Sequence, residues 1–190
     1  MLNYFDLRKG VQFIVEGQPY EVLEFKQMGK AQDVVVAQTK IKNLNNGKTV
    51  LRSFHQSDTF EEADIQKFDA KFIYGRNGKY IFSEARDPSK RFELMEDQIG
   101  EGVRFLKSNE VVVGLKFKDK VINIAFPVKV QLRVKDAPPG VQGDRSQGGT
   151  KTVTLETGAT INVPLFVQTD DIVEVNTEKG EYARRVGKDE

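Results

Sequence analysis

The dipeptide Asn-Gly occurs twice, at Asn46-Gly47 and Asn77-Gly78, and each copy stands between two short runs rich in apolar, β-branched or aromatic residues. Asn and Gly tolerate the left-handed backbone that a tight hairpin turn requires, so the pair is the strongest short-range hairpin signal a sequence carries. Residues 34–44 and 49–54 flank the first copy, and 69–74 and 79–82 flank the second. Lys118-Asp119-Lys120 joins 111–117 to 121–126 as a third hairpin. Thr157-Gly158 and Lys179-Gly180 punctuate the runs 152–155, 159–163, 172–175 and 182–186. Residues 128–134 alternate apolar and polar with period two, the pattern of a half-buried strand. Short strands at this spacing predict an all-β chain built from small barrels or sandwiches.

The opening reads as strand-turn-strand, with Gly10 and Glu16-Gly17 as turns and Pro19 at a strand start or edge, since proline cannot donate to a ladder. Residues 20–25 and 34–44 form a hairpin around the polar loop 26–33. The acidic stretch 57–64 reads as a boundary, and Pro127 closes a second unit. The predicted domains are 1–65, 66–128 and 129–190. The one helix candidate is 95–106, where Ile99, Val103 and Leu106 form an apolar stripe; Gly100 and Gly102 predict that it is short. Strands with one short helix in about 60 residues suit a five-stranded OB-type barrel for the middle unit. The last unit has the same size and strand rhythm.

From Lys26 to Arg52 there are six basic residues (Lys26, Lys30, Lys40, Lys42, Lys48, Arg52) and one acid, Asp33. Two readings stand: a solvated strand face, or an electrostatic footprint for a phosphate backbone. No apolar run is long enough for a membrane span or a secretory leader. Cysteine is absent and His55 is the single histidine, which removes disulfides, thiolate metal sites and histidine triads. The expectation is a cytoplasmic protein with no cofactor, no metal and no catalytic residues. Glu61-Glu62 and Asp170-Asp171 would point to opposite faces of a strand, so they make poor acid–base partners and read as solvated loops. Phe72, Tyr74, Arg76, Lys79, Tyr80 and Phe82 interleave aromatic and basic character; filling a small barrel is favoured over an RNA-stacking face.

Residues 151–167, from Lys151-Thr152-Val153 to Leu165-Phe166-Val167, resemble the signature of bacterial elongation factor P. The loop Pro139-Gly140-Val141-Gln142-Gly143-Asp144, the ending Gly180-Glu181-Tyr182, and, at the front, Asp6-Leu7-Arg8-Lys9-Gly10, Gly17-Gln18-Pro19-Tyr20 and Lys40-Ile41-Lys42-Asn43-Leu44 are similar to that family as well. The resemblance covers essentially the whole chain. It implies an SH3-like, KOW-type barrel followed by two OB-type barrels in an elongated, bent, tRNA-like shape. It further implies a monomeric, non-enzymatic factor that binds both ribosomal subunits between the peptidyl and exit sites. Such a factor contacts ribosomal RNA and peptidyl-tRNA, and relieves stalling at consecutive prolines.

Carried onto this sequence, the resemblance makes Met28, Gly29, Lys30, Ala31 and Gln32 the tip loop facing the acceptor end of the tRNA. Lys40, Lys42 and Arg52 become an RNA-contacting basic face, and residues 139–144 a ribosome-facing loop. The family's usual tip is Pro-Gly-Lys-Gly, whose lysine is often modified by a dedicated enzyme. By motif Lys30 is that residue; by ungapped counting from Gly17 and Lys40, Gln32 falls there instead. Gln142 stands where the family often has Lys or Arg, Ala137-Pro138 replaces an acidic residue, and Asp170 stands where the signature has Gly. A second reading, from another class, is a general single-stranded RNA-binding OB-fold protein, which would bind free RNA with strong salt dependence.

Overall fold

The structure, a computed structural model, describes residues 1–28, 36–139 and 149–188. Among them the chain is all-β, with three antiparallel sheets and only short helical pieces. No helix among the described residues is long and apolar enough to cross a membrane.

The first sheet contains β1 (Leu2–Asn3), β2 (Gln12–Val15), β3 (Gln18–Met28), β4 (Val36–Asn43), β5 (Thr49–His55) and β6 (Thr59–Glu62), in the order β1-β6-β2-β3-β4-β5. Period-two alternation decides what each strand buries. In β4, Ala37, Thr39, Ile41 and Asn43 are buried while Gln38, Lys40 and Lys42 face outward. Phe13, Phe54 and Phe60 fill the interior edge to face, with centroids 5.8, 5.2 and 4.8 Å apart. Asn43 fixes the following turn: its side-chain oxygen accepts from the backbone N–H groups of Asn45 (2.8 Å) and Asn46 (3.3 Å). Gly47 takes the left-handed backbone at φ 69°.

The acidic stretch 57–64 is not simply a boundary. It contains β6, which pairs with both β1 and β2 and buries Phe60. One well-placed aromatic residue outweighs exposed carboxylates on the other face, because those stay in water at no desolvation cost.

The second sheet contains β7 (Ile65–Arg76), β8 (Lys79–Glu84), β9 (Arg91–Met95), β10 (Val111–Phe117) and β11 (Lys120–Ala125), in the order β11-β10-β7-β8-β9. The expected helix is broken into a single α-turn, Glu96–Ile99, and a 3-10 turn, Glu101–Phe105. Gly100 between them has φ 88°, which no right-handed helix passes through. The apolar stripe survives the break: Ile99, Val103 and Leu106 are all buried in the core of this sheet.

The third sheet contains β12 (Lys129–Asp136), β13 (Thr150–Leu155), β14 (Thr160–Pro164), β15 (Asp171–Asn176) and β16 (Glu181–Lys188), in the order β14-β13-β12-β15-β16. Numbered from its own first strand, each of the last two sheets runs 3-2-1-4-5, so the shared strand rhythm carries a shared winding. The outer strands β14 and β16 approach each other, which curls the third sheet toward a barrel. Asp170, in the position where a Gly was expected, takes φ 69° and keeps the left-handed turn without one. Asp171, expected in a solvated loop, is fully buried: it accepts from the backbone N–H of Gln168 (2.8 Å), and Arg185 of β16 lies 3.6 Å away. Glu61 and Glu62 lie exposed on β6 rather than in a loop.

Among the contacts that join the sheets are one aromatic packing and one buried, hydrogen-bonded amide. Phe105 leaves the second sheet and is fully buried in the core of the third, among Val130, Leu132 and Val153. The buried Asn123 amide donates to the carbonyl of Gln98 (3.0 Å) and to that of Asn45 (3.4 Å), tying the first sheet's turn to the second sheet.

Truncating Phe105 to Ala should cost about 3–5 kcal/mol, the usual range for a buried aromatic, and should separate melting of the third sheet from that of the second. Calorimetry checks both. A second expectation follows from two carboxylates. Arg184 (3.2 Å) and Lys129 (2.9 Å) hold Glu174 below the usual carboxylate range, and Lys116 (2.6 Å) does the same for Glu84. Folded-state values below the unfolded ones mean that this stabilisation is full above the ordinary carboxylate range and is lost as pH falls from there through the lower folded-state values. Urea midpoints should therefore drop on acidification, and Glu174→Gln should reduce that drop.

Candidate nucleic-acid interface

β3 and β4 form the longest ladder of the first sheet, pairing Tyr20 with Asn43 at one end and Met28 with Val36 at the other. Lys26 and Gln27, expected in the loop, are strand residues opposite Gln38 and Ala37. Both are exposed although they point to opposite faces, while Ala37 opposite Gln27 is buried beside Phe54, so only the last pair, Met28 with Val36, lies beyond the core. Met28, expected at the tip, is the last residue of the ladder. The ladder continues because β5 extends alongside, pairing His55 with Val36. Gly29, Lys30, Ala31 and Gln32 lie outside the described residues. So do Gly140, Val141, Gln142, Gly143 and Asp144; Pro139 is exposed at the end of the described segment before them.

The three residues expected to form one basic face do not share one. Lys40 pairs across the ladder with Leu51 and Lys42 with Thr49, so these residues look outward together. Arg52 pairs with Thr39, whose side chain is buried, and therefore projects from the other face. The turn between β4 and β5 sets this register, placing even-numbered positions of one strand against odd-numbered positions of the other.

The outward face is also less positive than its segment. Glu24 stands opposite Lys40 at 3.4 Å and Glu21 opposite Lys42, both carboxylates coming from β3. Arg52 reaches Glu16 at 2.6 Å. These acids precede Lys26 in the chain, so a count over residues 26–52 leaves them out. Strict period-two pairing of β3 with β4 would not have found both Glu21 and Glu24, because the register shifts between Val22 and Glu24. With Lys26 at its end, the outer face of the ladder carries alternating charge and ends in a cation. Exposed pairs of this kind contribute about 0–1 kcal/mol each, so a phosphate can compete for them.

Phe72 and Phe82 are core residues in ring contact, 5.3 Å between centroids, while Tyr74 is half exposed. His55 ends β5 with its ring in solvent, 3.9 Å from Asp58. Among the described residues, no group of three or more His, Cys, Asp or Glu side chains could hold a metal ion.

A family model described as Elongation factor P (EF-P) KOW-like domain matches residues 5–60, and one described as Elongation factor P, C-terminal matches residues 130–185. A protein of Acetivibrio thermocellus named elongation factor P is 36% identical over 186 residues, covering 98% of this chain and 100% of its own length. One of the same name from Rhodococcus erythropolis is 37% identical, covering 98% of this chain and 99% of itself. Among solved structures, Eukaryotic translation initiation factor 5A from Methanococcus jannaschii aligns with a TM-score of 0.48 at 14% identity, covering 65% of this chain and 92% of that one; so distant a likeness carries no argument.

Proposed function

The chain belongs to the elongation factor P family, and from that membership we propose that it is a non-enzymatic translation factor. It binds the ribosome between the peptidyl and exit sites, in contact with both subunits and with ribosomal RNA. There it holds peptidyl-tRNA in reacting geometry and relieves stalling at consecutive prolines. In this reading the three sheets are the cores of three barrels, 1–65, 66–128 and 129–190, arranged as a bent, tRNA-like monomer working in the cytoplasm.

The observation that carries the reading is the β3–β4 ladder, which runs past its own core to Met28 and Val36. A ladder of this kind is a stiff support for residues 29–32, which would meet the acceptor end of the tRNA. Either Lys30 or Gln32 stands at the tip, and Lys30 would be the residue open to a modifying enzyme. The loop at 139–144 would face the ribosome from the third barrel.

The physical need is positional. Proline fixes its own φ and lacks an N–H, so a run of prolines stiffens the nascent chain. An ester held away from attack geometry reacts slowly, and misplacement of about 1 Å can cost on the order of a hundredfold in rate. Bracing the tRNA restores alignment without a general acid or base.

Removing residues 29–32 should leave the urea midpoint within about 0.5 kcal/mol, as for surface changes, and abolish relief in a consecutive-proline reporter. Equal reporter readings with and without those residues would contradict the tip assignment. Replacing Lys40 and Lys42 with Ala should weaken ribosome co-sedimentation and flatten its salt dependence more than Arg52→Ala does, because Arg52 lies on the other face. Co-sedimentation across a salt series reads this out.

A further inference from the structure

The second and third sheets leave between them a cleft of about 590 Å³. One wall is aromatic. Phe72 and Tyr80 lie with centroids 6.2 Å apart, and Tyr74 stands beside them with 52% of its surface exposed. The β7–β8 register shifts between Phe72 and Tyr74. Such a bulge re-aims side chains out of strict alternation, which is how a tyrosine next to a core phenylalanine comes to face open space. The other wall is polar, with Lys107 from the second sheet and Glu156 from the turn after β13. Among the described residues, Glu156 is held through one oxygen: Oε1 accepts from the backbone N–H of Arg133 (2.8 Å) and from Lys107 (3.0 Å). Burial opposes its charge, but these two donors outweigh burial and keep its carboxyl below the usual range. Oε2 remains to accept.

An exposed aromatic face, a cation and a carboxylate acceptor in one cleft make a specific demand on a ligand. It must have a flat ring to stack, an N–H donor at the ring edge and a negative group nearby. We propose that the cleft takes one unpaired, amino-bearing base of single-stranded RNA, stacked on Tyr74, with its exocyclic amine donating to Glu156 and its phosphate beside Lys107. Only an unstacked base offers both face and edge, so duplex RNA is excluded. Cytosine presents an N4 amine that a Glu carboxylate accepts, whereas uracil puts a carbonyl oxygen at that place. The proposal rests on the translation-factor reading only for the source of the RNA.

The test is an NMR titration of the full chain with the trinucleotides CCC and UUU. CCC should shift the Tyr74 and Tyr80 ring signals saturably, and UUU should bind at least about fivefold more weakly. Tyr74→Ala should weaken CCC by about tenfold or more, since stacking on a single ring has that worth. Tyr74→Phe, which keeps the ring, should stay near the original affinity, and removal of residues 29–32 should leave it unchanged. Tyr74 is half exposed, so neither substitution threatens the fold. Absence of saturable binding, equal affinity for CCC and UUU, or equal affinity of the Ala variant and the original overturns the cleft. Failure to relieve proline stalling with CCC binding intact removes the translation role and leaves the cleft standing.

Discussion

Everything this chain can hold out toward a partner on its first sheet depends on the pairing of β3 with β4. A strand end without a core beneath it has no hydrophobic support, so the backbone ladder must supply the stiffness. β5 completes that support by pairing along β4 as far as Val36. The buried hydroxyl of Thr39 donates to the carbonyl of Arg52 at 2.8 Å and ties β4 to β5. The positional role proposed for this chain needs such a lever, because alignment would be lost if the reaching part bent more easily than its partner moved.

A lever needs a fixed base, and the base here is built from small cores that share residues at their borders. Each sheet closes its own interior, but the third is finished by Phe105 from the second, and Asn123 of the second, itself held by the Gln98 carbonyl, bonds the turn of the first at Asn45. The ion pair Lys107–Glu156 crosses the same border between the second and third sheets. Burial of one aromatic ring is worth more than several exposed ion pairs. The Phe105 contact is therefore the main restraint between the last two sheets, and the charges refine it.

The sequence revealed the fold where local chemistry decides it. Asn77-Gly78 and Lys118-Asp119 mark turns by their own backbone preferences, and residues 128–134 show their buried face by alternation alone. It concealed what depends on distant partners. β6 was hidden because its acidic composition outweighed one phenylalanine whose two companion rings lie elsewhere in the chain. Asp171 looked solvated because Arg185, which lies beside it, comes fourteen residues later, on another strand. The break at Gly100 was half visible, as a lowered helix propensity, but the left-handed turn was not. For the candidate site the basic residues were legible and their grouping was not. The parity of a turn moved Arg52 to the far face, and glutamates from β3 neutralised part of the near one. The aromatic–basic run at 72–82 held both core and surface, and only the register shift after Phe72 separates Tyr74 from the filling of the barrel.

The central claim is that this molecule accelerates a reaction by holding another molecule's reacting ends and contributes no ionisable group to the chemistry. The pH dependence of single-turnover peptide-bond formation to a proline acceptor, measured with and without the protein, tests it most directly. The account predicts that the ratio of the two rates is flat across pH, since positioning multiplies the rate without adding a titrating group. A ratio that rises or falls through a protein pKa would contradict it.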